Sequence, residues 1–157
     1  TLDMAFVNLP APLDGLASQV AMQAPLVTVL PEGHPWLKRK TVRLQDFDGV
    51  DFVFSDRKSR PEFYDFILAQ FQAAGVKPNI VREIGGPLDS VIGLIRLGLG
   101  VTILPLYPQA AEAYRVPWRP FRKPGPMLKF ALVRRQNETS PLVQHFCQLA
   151  VEIGPRS

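Results

Sequence analysis

Apolar positions at three- and four-residue spacing locate two helices before anything else in the chain. Leu88, Val91, Ile92, Ile95 and Leu99 form one such row, which Gly98 and Gly100 close before a short apolar strand at 101–104 stopped by Pro105. A strand at 77–84 precedes it, so the stretch reads strand, helix, strand, which is a parallel crossover unit. Leu94 and Leu97 place further apolar groups on the other flanks, which predicts a helix buried on more than one side. The second row is Phe63, Phe66, Ile67, Gln70, Phe71 and Ala74, ended by Gly75. Ser59 and Glu62 stand three apart at its start, the spacing of a capping box. Tyr64 and Leu68, one turn apart on a neighbouring face, widen its apolar arc beyond what one sheet needs.

Shorter apolar or alternating runs predict strands at 3–7, 17–22, 26–30, 50–54 and 127–133. Pro10 and Pro12 keep the exit of the first strand irregular, and Glu32, Gly33, His34 and Pro35 make a turn. Part of 106–114 reads as a short helix, and the four prolines between Val116 and Pro126 mark a surface connection. A last helix starts at Ser140 and Pro141, with Leu142, Val143, Phe146 and Ala150 on its apolar side and Cys147 as a packed thiol.

Composition narrows the class without naming a chemistry. At 157 residues, 46% hydrophobic and 20% charged, the chain can bury a sizeable core as one unit or two small lobes. The net charge of +4 is dispersed apart from basic clusters at 38–40, 57–60 and 119–123, a balance that suits anionic small molecules or proximity to nucleic acid. One cysteine allows no internal disulfide, which fits a reducing compartment. No apolar run reaches membrane-spanning length and no signal-peptide pattern opens the chain, so a cytoplasmic location is expected.

No catalytic, metal or cofactor constellation is expected. His34 lacks a second His, Cys or carboxylate at ligand spacing, and His145 and Cys147 point about 200° apart on a helix. Gly93, Gly98 and Gly100 lie within and after a helix, where a dinucleotide loop cannot form, and neither a phosphate-loop lysine nor a serine elbow is present. The best chemical candidates are binding loops. Ser55, Asp56, Arg57 and Lys58 join a strand's end to a helix's start and, with Arg60, carry three cations within four residues. Free N–H groups and the helix dipole favour an anion there. Gly85, Gly86 and Pro87 lie between the next strand and helix, where ligands sit in open α/β sheets. Asn8, at the end of the first strand, either caps a turn or touches a ligand.

The helix running into LGLGVTILP resembles the effector-binding domain of LysR-type transcriptional regulators. Four further pieces agree, in the family's order. LDMAFV resembles its LDLAI strand and PLVTVLPEGHPW its PLVLVVPxxHPL segment, AAGVKP resembles a helix end, and SPLV followed by Phe146 resembles the start of its last helix. The resemblance implies an α/β fold of two lobes, the type 2 periplasmic-binding-protein architecture with mixed sheets. Residues 1–40 with 137–157 would form an incomplete first lobe, and 41–136 the second. It implies a small effector, a carboxylate, in the cleft between lobes, lined by Asn8, Ser55, Arg57, Ser59, Arg60, Gly86, Pro87, Leu88 and Ile103. Arg57 or Arg60 would clamp it.

Further implications concern partners. Family domains pair antiparallel, which would bury Tyr64 and Leu68 in a homodimer or higher oligomer of the full-length protein. DNA would be met only through a helix-turn-helix domain absent from this chain. Thr1, Leu2 and Asp3 enter a strand at once, so the chain reads as a fragment lacking the first-lobe helix start that usually supplies hydroxyls to the effector. The alternatives are a periplasmic solute-binding protein of the same architecture and an interaction domain with no ligand.

Overall fold

A computed structural model of the chain describes residues 4–9, 13–105 and 114–153. In chain order its elements are β1 (Met4–Leu9), β2 (Leu16–Val29), β3 (Asp51–Ser55), α1 (Pro61–Ala74), β4 (Asn79–Ile84), α2 (Leu88–Arg96), β5 (Thr102–Pro105), β6 (Trp118–Pro120), β7 (Met127–Arg135) and α3 (Pro141–Ile153). Two 3-10 turns, Pro35–Lys38 and Leu44–Phe47, lie between β2 and β3. The chain divides into two compact units, Thr1–Ala24 with Leu128–Ser157, and Pro25–Met127. The passages at 24/25 and 127/128 differ from the expected 40/41 and 136/137; the first falls inside β2.

In the larger unit β3 is central. Phe52, Val53 and Phe54 are fully buried, as β-branched and aromatic residues of a covered strand should be. β4 runs parallel to it, and α1 is the crossover between them. On its other side Val101, just before β5, forms a parallel bridge to Phe52, with N–H···O distances of 2.9 Å both from Val53 to Val101 and from Val101 to Asp51. The crossover through α2 therefore passes over β3. The second half of β2 lies between β5 and β6, antiparallel to both, with Thr28 opposite Ile103 on one side and Arg119 on the other.

Two packed clusters hold this unit. Val91, Ile92 and Ile95 of α2 meet Val27, Val29, Val53 and Leu104. Phe47, fully buried from a 3-10 turn, gathers the aromatics: its ring centroid lies 5.1 Å from Trp36, 6.1 Å from Phe52, 5.5 Å from Phe71 and 5.9 Å from Phe121. These distances suit edge-to-face and offset pairs.

Several expectations need correction. The strands expected at 17–22 and 26–30 are one 14-residue strand, which tolerates Pro25 because that residue is exposed and precedes the segment paired with β5 and β6. α2 is buried on one face only, and Leu97 and Leu99, beyond its end, are 77% and 45% exposed. Gly98, at φ 78°, ends the helix in a Schellman turn, with its N–H on the Ile95 carbonyl and the Leu99 N–H on that of Leu94. On α1 the buried line is Phe63, Ile67 and Phe71, while Phe66, Gln70 and Ala74 are half-buried.

In the smaller unit β1 pairs antiparallel with β7, which neighbours β2. Val143 and Cys147 of α3 pack on Ala21 and Leu132, so the thiol is a core group as expected. Leu142 and Phe146, expected on that packed side, are exposed instead, Leu142 at 78%. They stand one position before Val143 and Cys147, about 100° around the helix. The helix expected within 106–114, apart from Tyr114, lies outside the described residues, as do residues 1–3 and 10–12.

Candidate functional site

The candidate site is built where β3 and β4 end side by side in the larger unit. Ser55, the last residue of β3, is buried, and the Asp56 N–H donates to the Ile84 carbonyl at 2.9 Å, tying the start of one loop to the end of β4. Asp56 then folds the loop onto itself: its Oδ1 accepts the Ser59 N–H at 2.7 Å, and its carbonyl accepts the Arg60 N–H at 3.3 Å. Hydrogen bonds from the Ser59 hydroxyl and N–H hold its carboxyl below the ordinary range.

The expected capping box is absent. Arg60 occupies the N-cap position and makes no side-chain cap, because Pro61 sets the first helical residue one place later than a serine cap requires. Ser59 faces the neighbouring loop instead, its Oγ 3.4 Å from the Gly86 N–H. Gly85 permits this meeting: a Cβ there would stand 2.7 Å from Asp56 Oδ2 and 3.2 Å from Ser59 Oγ. Three of the expected residues, Ser59, Arg60 and Gly86, are thus brought to one junction, with Pro87 and Leu88 following as the entry to α2. No side chain caps the first-turn N–H groups of either helix.

The other expected site residues are placed differently. Arg57 is turned along α1 and pairs with Asp65 at 2.9 Å, which raises its affinity for its proton. Arg60 has no carboxylate partner among the described residues. Ile103 is 1% exposed, a core position facing Thr28 across the β2–β5 pair. Thr28 is itself fully buried, and its Oγ1 has no hydrogen-bond partner among the described residues. Asn8 lies in the other unit, in β1 opposite Phe130.

Tyr64 and Leu68 stand one turn apart on α1. Tyr64 is engaged within its own chain, its ring stacked on Phe54 at 4.4 Å and its hydroxyl donating to the Glu83 carboxylate, while Leu68 is half-buried. Ile80 and Val81 of β4 are exposed. His34 is a structural turn residue: its Nδ1 accepts the Trp36 N–H at 3.2 Å, and burial, then the charge of Arg39, lowers its pKa. No group of three or more potential metal ligands occurs among the described residues.

The family model for the LysR substrate binding domain matches residues 1–154. The chain belongs to this family. Among curated LysR-type relatives, the HTH-type transcriptional regulator CatR of Pseudomonas putida is 29% identical over 151 residues, covering 96% of this chain and 52% of that protein. The HTH-type transcriptional regulator YnfL of Escherichia coli K12 is 30% identical, covering 93% of this chain and 49% of that protein. The chain therefore spans about half the length of these relatives.

Solved structures show the same fold. The effector-binding domain of QuiR in complex with shikimate superposes with a TM-score of 0.79 at 22% identity, covering 96% of this chain and 70% of that one. The BenM effector-binding domain with its effector benzoate gives 0.81 at 17%, covering 96% and 68%. The mixed α/β architecture expected of a LysR domain of the type 2 periplasmic-binding-protein class is thereby established. Reading of the sequence put Asp56 and Gly85 within the two candidate loops but gave neither a role of its own, although a glycine pair ahead of a proline was a visible sign of a close approach. Nothing in the sequence marked Thr28.

Proposed function

We propose that this LysR-family chain is the ligand-sensing part of a transcriptional regulator and that the Ser59–Gly86 junction holds the anionic end of a small carboxylate effector. The chain is read as a binding module and not an enzyme, working in the cytoplasm and passing its signal to a helix-turn-helix domain that reads DNA sequence. The observation that carries the reading is the junction itself. Two loops from parallel strand ends are hydrogen-bonded together beside the uncapped starts of α1 and α2, with the Arg60 guanidinium free of any carboxylate among the described residues. Helix-start N–H groups and an arginine together are the ordinary recognition set for a carboxylate. The shikimate and benzoate held by the two similar domains carry that group.

Thermal denaturation with shikimate, benzoate and a panel of aromatic and aliphatic carboxylates tests this. At least one should stabilise the chain, by about 2.7 kcal/mol at a hundred times its Kd. Arg60→Ala and Gly85→Ala should each weaken that ligand tenfold or more, since each removes or displaces a charge-assisted contact of about 1.5–3 kcal/mol. Arg57→Ala should keep it, because Arg57 serves Asp65. A stabilising carboxylate unaffected by Arg60→Ala and Gly85→Ala would place the site elsewhere.

The same reading includes a homodimer through Leu68 of α1 and the β4 edge. Support comes from Leu68, half-buried on α1, and from Ile80 and Val81, exposed on β4, apolar groups that an isolated subunit would leave open to association. In sedimentation of the intact protein, Leu68→Asp with Ile80→Asp should shift dimer to monomer. A dimer indifferent to both changes would refute this interface.

A further inference from the structure

Two basic runs far apart in the sequence meet in the larger unit. The Val42 N–H donates to the Pro120 carbonyl at 3.0 Å and the Arg122 N–H to the Val42 carbonyl at 2.8 Å, so segments 38–45 and 117–124 run side by side. Val42 and Phe121 form the parallel bridge between them, both buried, which turns the charged residues on either side outward. An open groove of about 700 Å3 is lined by Lys38, Arg39, Lys40 and Arg119 together with Val116, Trp118 and prolines. Further along the same pair of segments, Arg43, Arg122 and Lys123 line a second groove of about 230 Å3. Among the described residues, neither groove is lined by a carboxylate.

The cations are of two kinds. Arg119 is fixed by its own protein, with Nε on the Arg39 carbonyl at 2.8 Å, Nη1 on the Trp118 carbonyl at 2.7 Å and Nη2 on the Leu37 carbonyl. All three acceptors are neutral carbonyls, and no carboxylate among the described residues pairs with it. Asp46 shares its carboxylate between Arg39 at 3.3 Å and Arg43 at 3.1 Å; burial pushes its pKa up, but bonds from the Arg43 N–H and guanidinium bring it below the ordinary value. One carboxylate therefore offsets one of seven cations. Lys38, Lys40, Arg122 and Lys123 are exposed and have no acidic partner among the described residues.

We propose that this basic tract is a sequence-independent contact surface for the phosphate backbone of duplex DNA. Its openness leaves a single small anion hydrated and weakly held, whereas a polymer engages several cations at once and gains from releasing its condensed counterions. Duplex DNA carries one negative charge per about 1.7 Å of its axis, and the tract presents exposed cations beside the anchored Arg119, with no α-helix among its described residues to read bases. Relatives named as HTH-type transcriptional regulators act on DNA, so a duplex is at hand. The tract uses none of the residues of the Ser59–Gly86 junction, and the proposal is independent of effector binding there.

The test is fluorescence anisotropy of this chain with labelled duplexes of two unrelated sequences, each about two helical turns long. Equal binding of both is expected, weakening roughly a hundredfold between ~50 and ~200 mM salt, as about four phosphate contacts require. Lys38→Ala with Lys40→Ala should flatten the salt dependence by about two contacts while leaving the melting temperature unchanged. Lys77→Ala with Lys129→Ala, also exposed lysines, should leave the dependence as it was. Absence of binding at ~50 mM salt, preference for one sequence, or an equal loss in both double variants would overturn the proposal. Displacement of the duplex by polyglutamate at matched charge would overturn it too, and would assign the tract to an acidic polypeptide.

Discussion

Phe47→Ala should cost about 3–5 kcal/mol of folding stability, the usual cost of removing a buried phenylalanine. The residue is fully buried though it stands in a 3-10 turn, and its ring meets Trp36, Phe52, Phe71 and Phe121, which come from four different segments. Deleting it leaves a cavity that those rings cannot fill without leaving their own contacts, because β3, α1 and the β6 exit hold them in place. Single domains of this size have roughly 5–15 kcal/mol in total, so the change should remove a large fraction of the margin. Denaturant melts should show a lower midpoint with an unchanged slope. A loss below ~1 kcal/mol would mean that the aromatic cluster is not the centre of this unit.

Gly100→Ala is expected to cost roughly 3 kcal/mol, combining overpacking with strained hydrogen bonds. A Cβ at this position would stand 2.5 Å from the Asp51 carbonyl oxygen and 2.9 Å from its carbon, both backbone atoms of β3 that cannot rotate away. Relief requires moving the chain at Val101, whose N–H donates to that same Asp51 carbonyl and whose carbonyl accepts from Val53. The glycine before VTILP is therefore a close approach between two backbones. Hydrogen exchange at the Val53 and Val101 amides would rise with the loss of stability if this is right. Gly93→Ala, where a Cβ meets nothing within 4 Å, is the control and should be neutral or stabilising.

Much of this fold was legible in the sequence wherever a local rule and the final packing agree. The row Phe63, Ile67, Phe71 placed α1, the run of apolar residues through Phe54 placed β3, and the segments around LGLGVTILP pointed to the family before any coordinate. What was illegible depends on neighbours that sequence spacing does not reveal. Leu97 and Leu99 fit a helical pattern, yet Gly98 ends the helix and the described residues leave both exposed. Pro25 suggested a break in β2, but its missing N–H matters only where a partner strand asks for a donor. Ser59 fitted a capping box, yet Pro61 moved the helix start and released that hydroxyl to Gly86.

The candidate site was legible as loops and not as roles. Charge and position singled out Arg57 and Arg60 alike; only the structure separates them, because Asp65 lies one helical turn into α1 and takes Arg57. Asp56 organises the loop through two bonds to backbone N–H and hydroxyl groups, a local motif common enough in turns to carry no signal by itself. The basic tract was likewise present as two dispersed clusters, and only the Val42–Phe121 bridge makes them one surface.

The claim at the centre of this account is that the Ser59–Gly86 junction holds a carboxylate, and backbone amide chemical shifts tested against a stabilising carboxylate address it most directly. Titration of the isotope-labelled chain with benzoate, shikimate or another carboxylate that raises the melting temperature should move the amides of Ser59, Arg60, Glu62, Phe63 and Gly86 most, and together along one saturation curve. A stabilising carboxylate that leaves those five amides in place and moves others, such as those of Lys38 to Lys40 and Arg119, would contradict it.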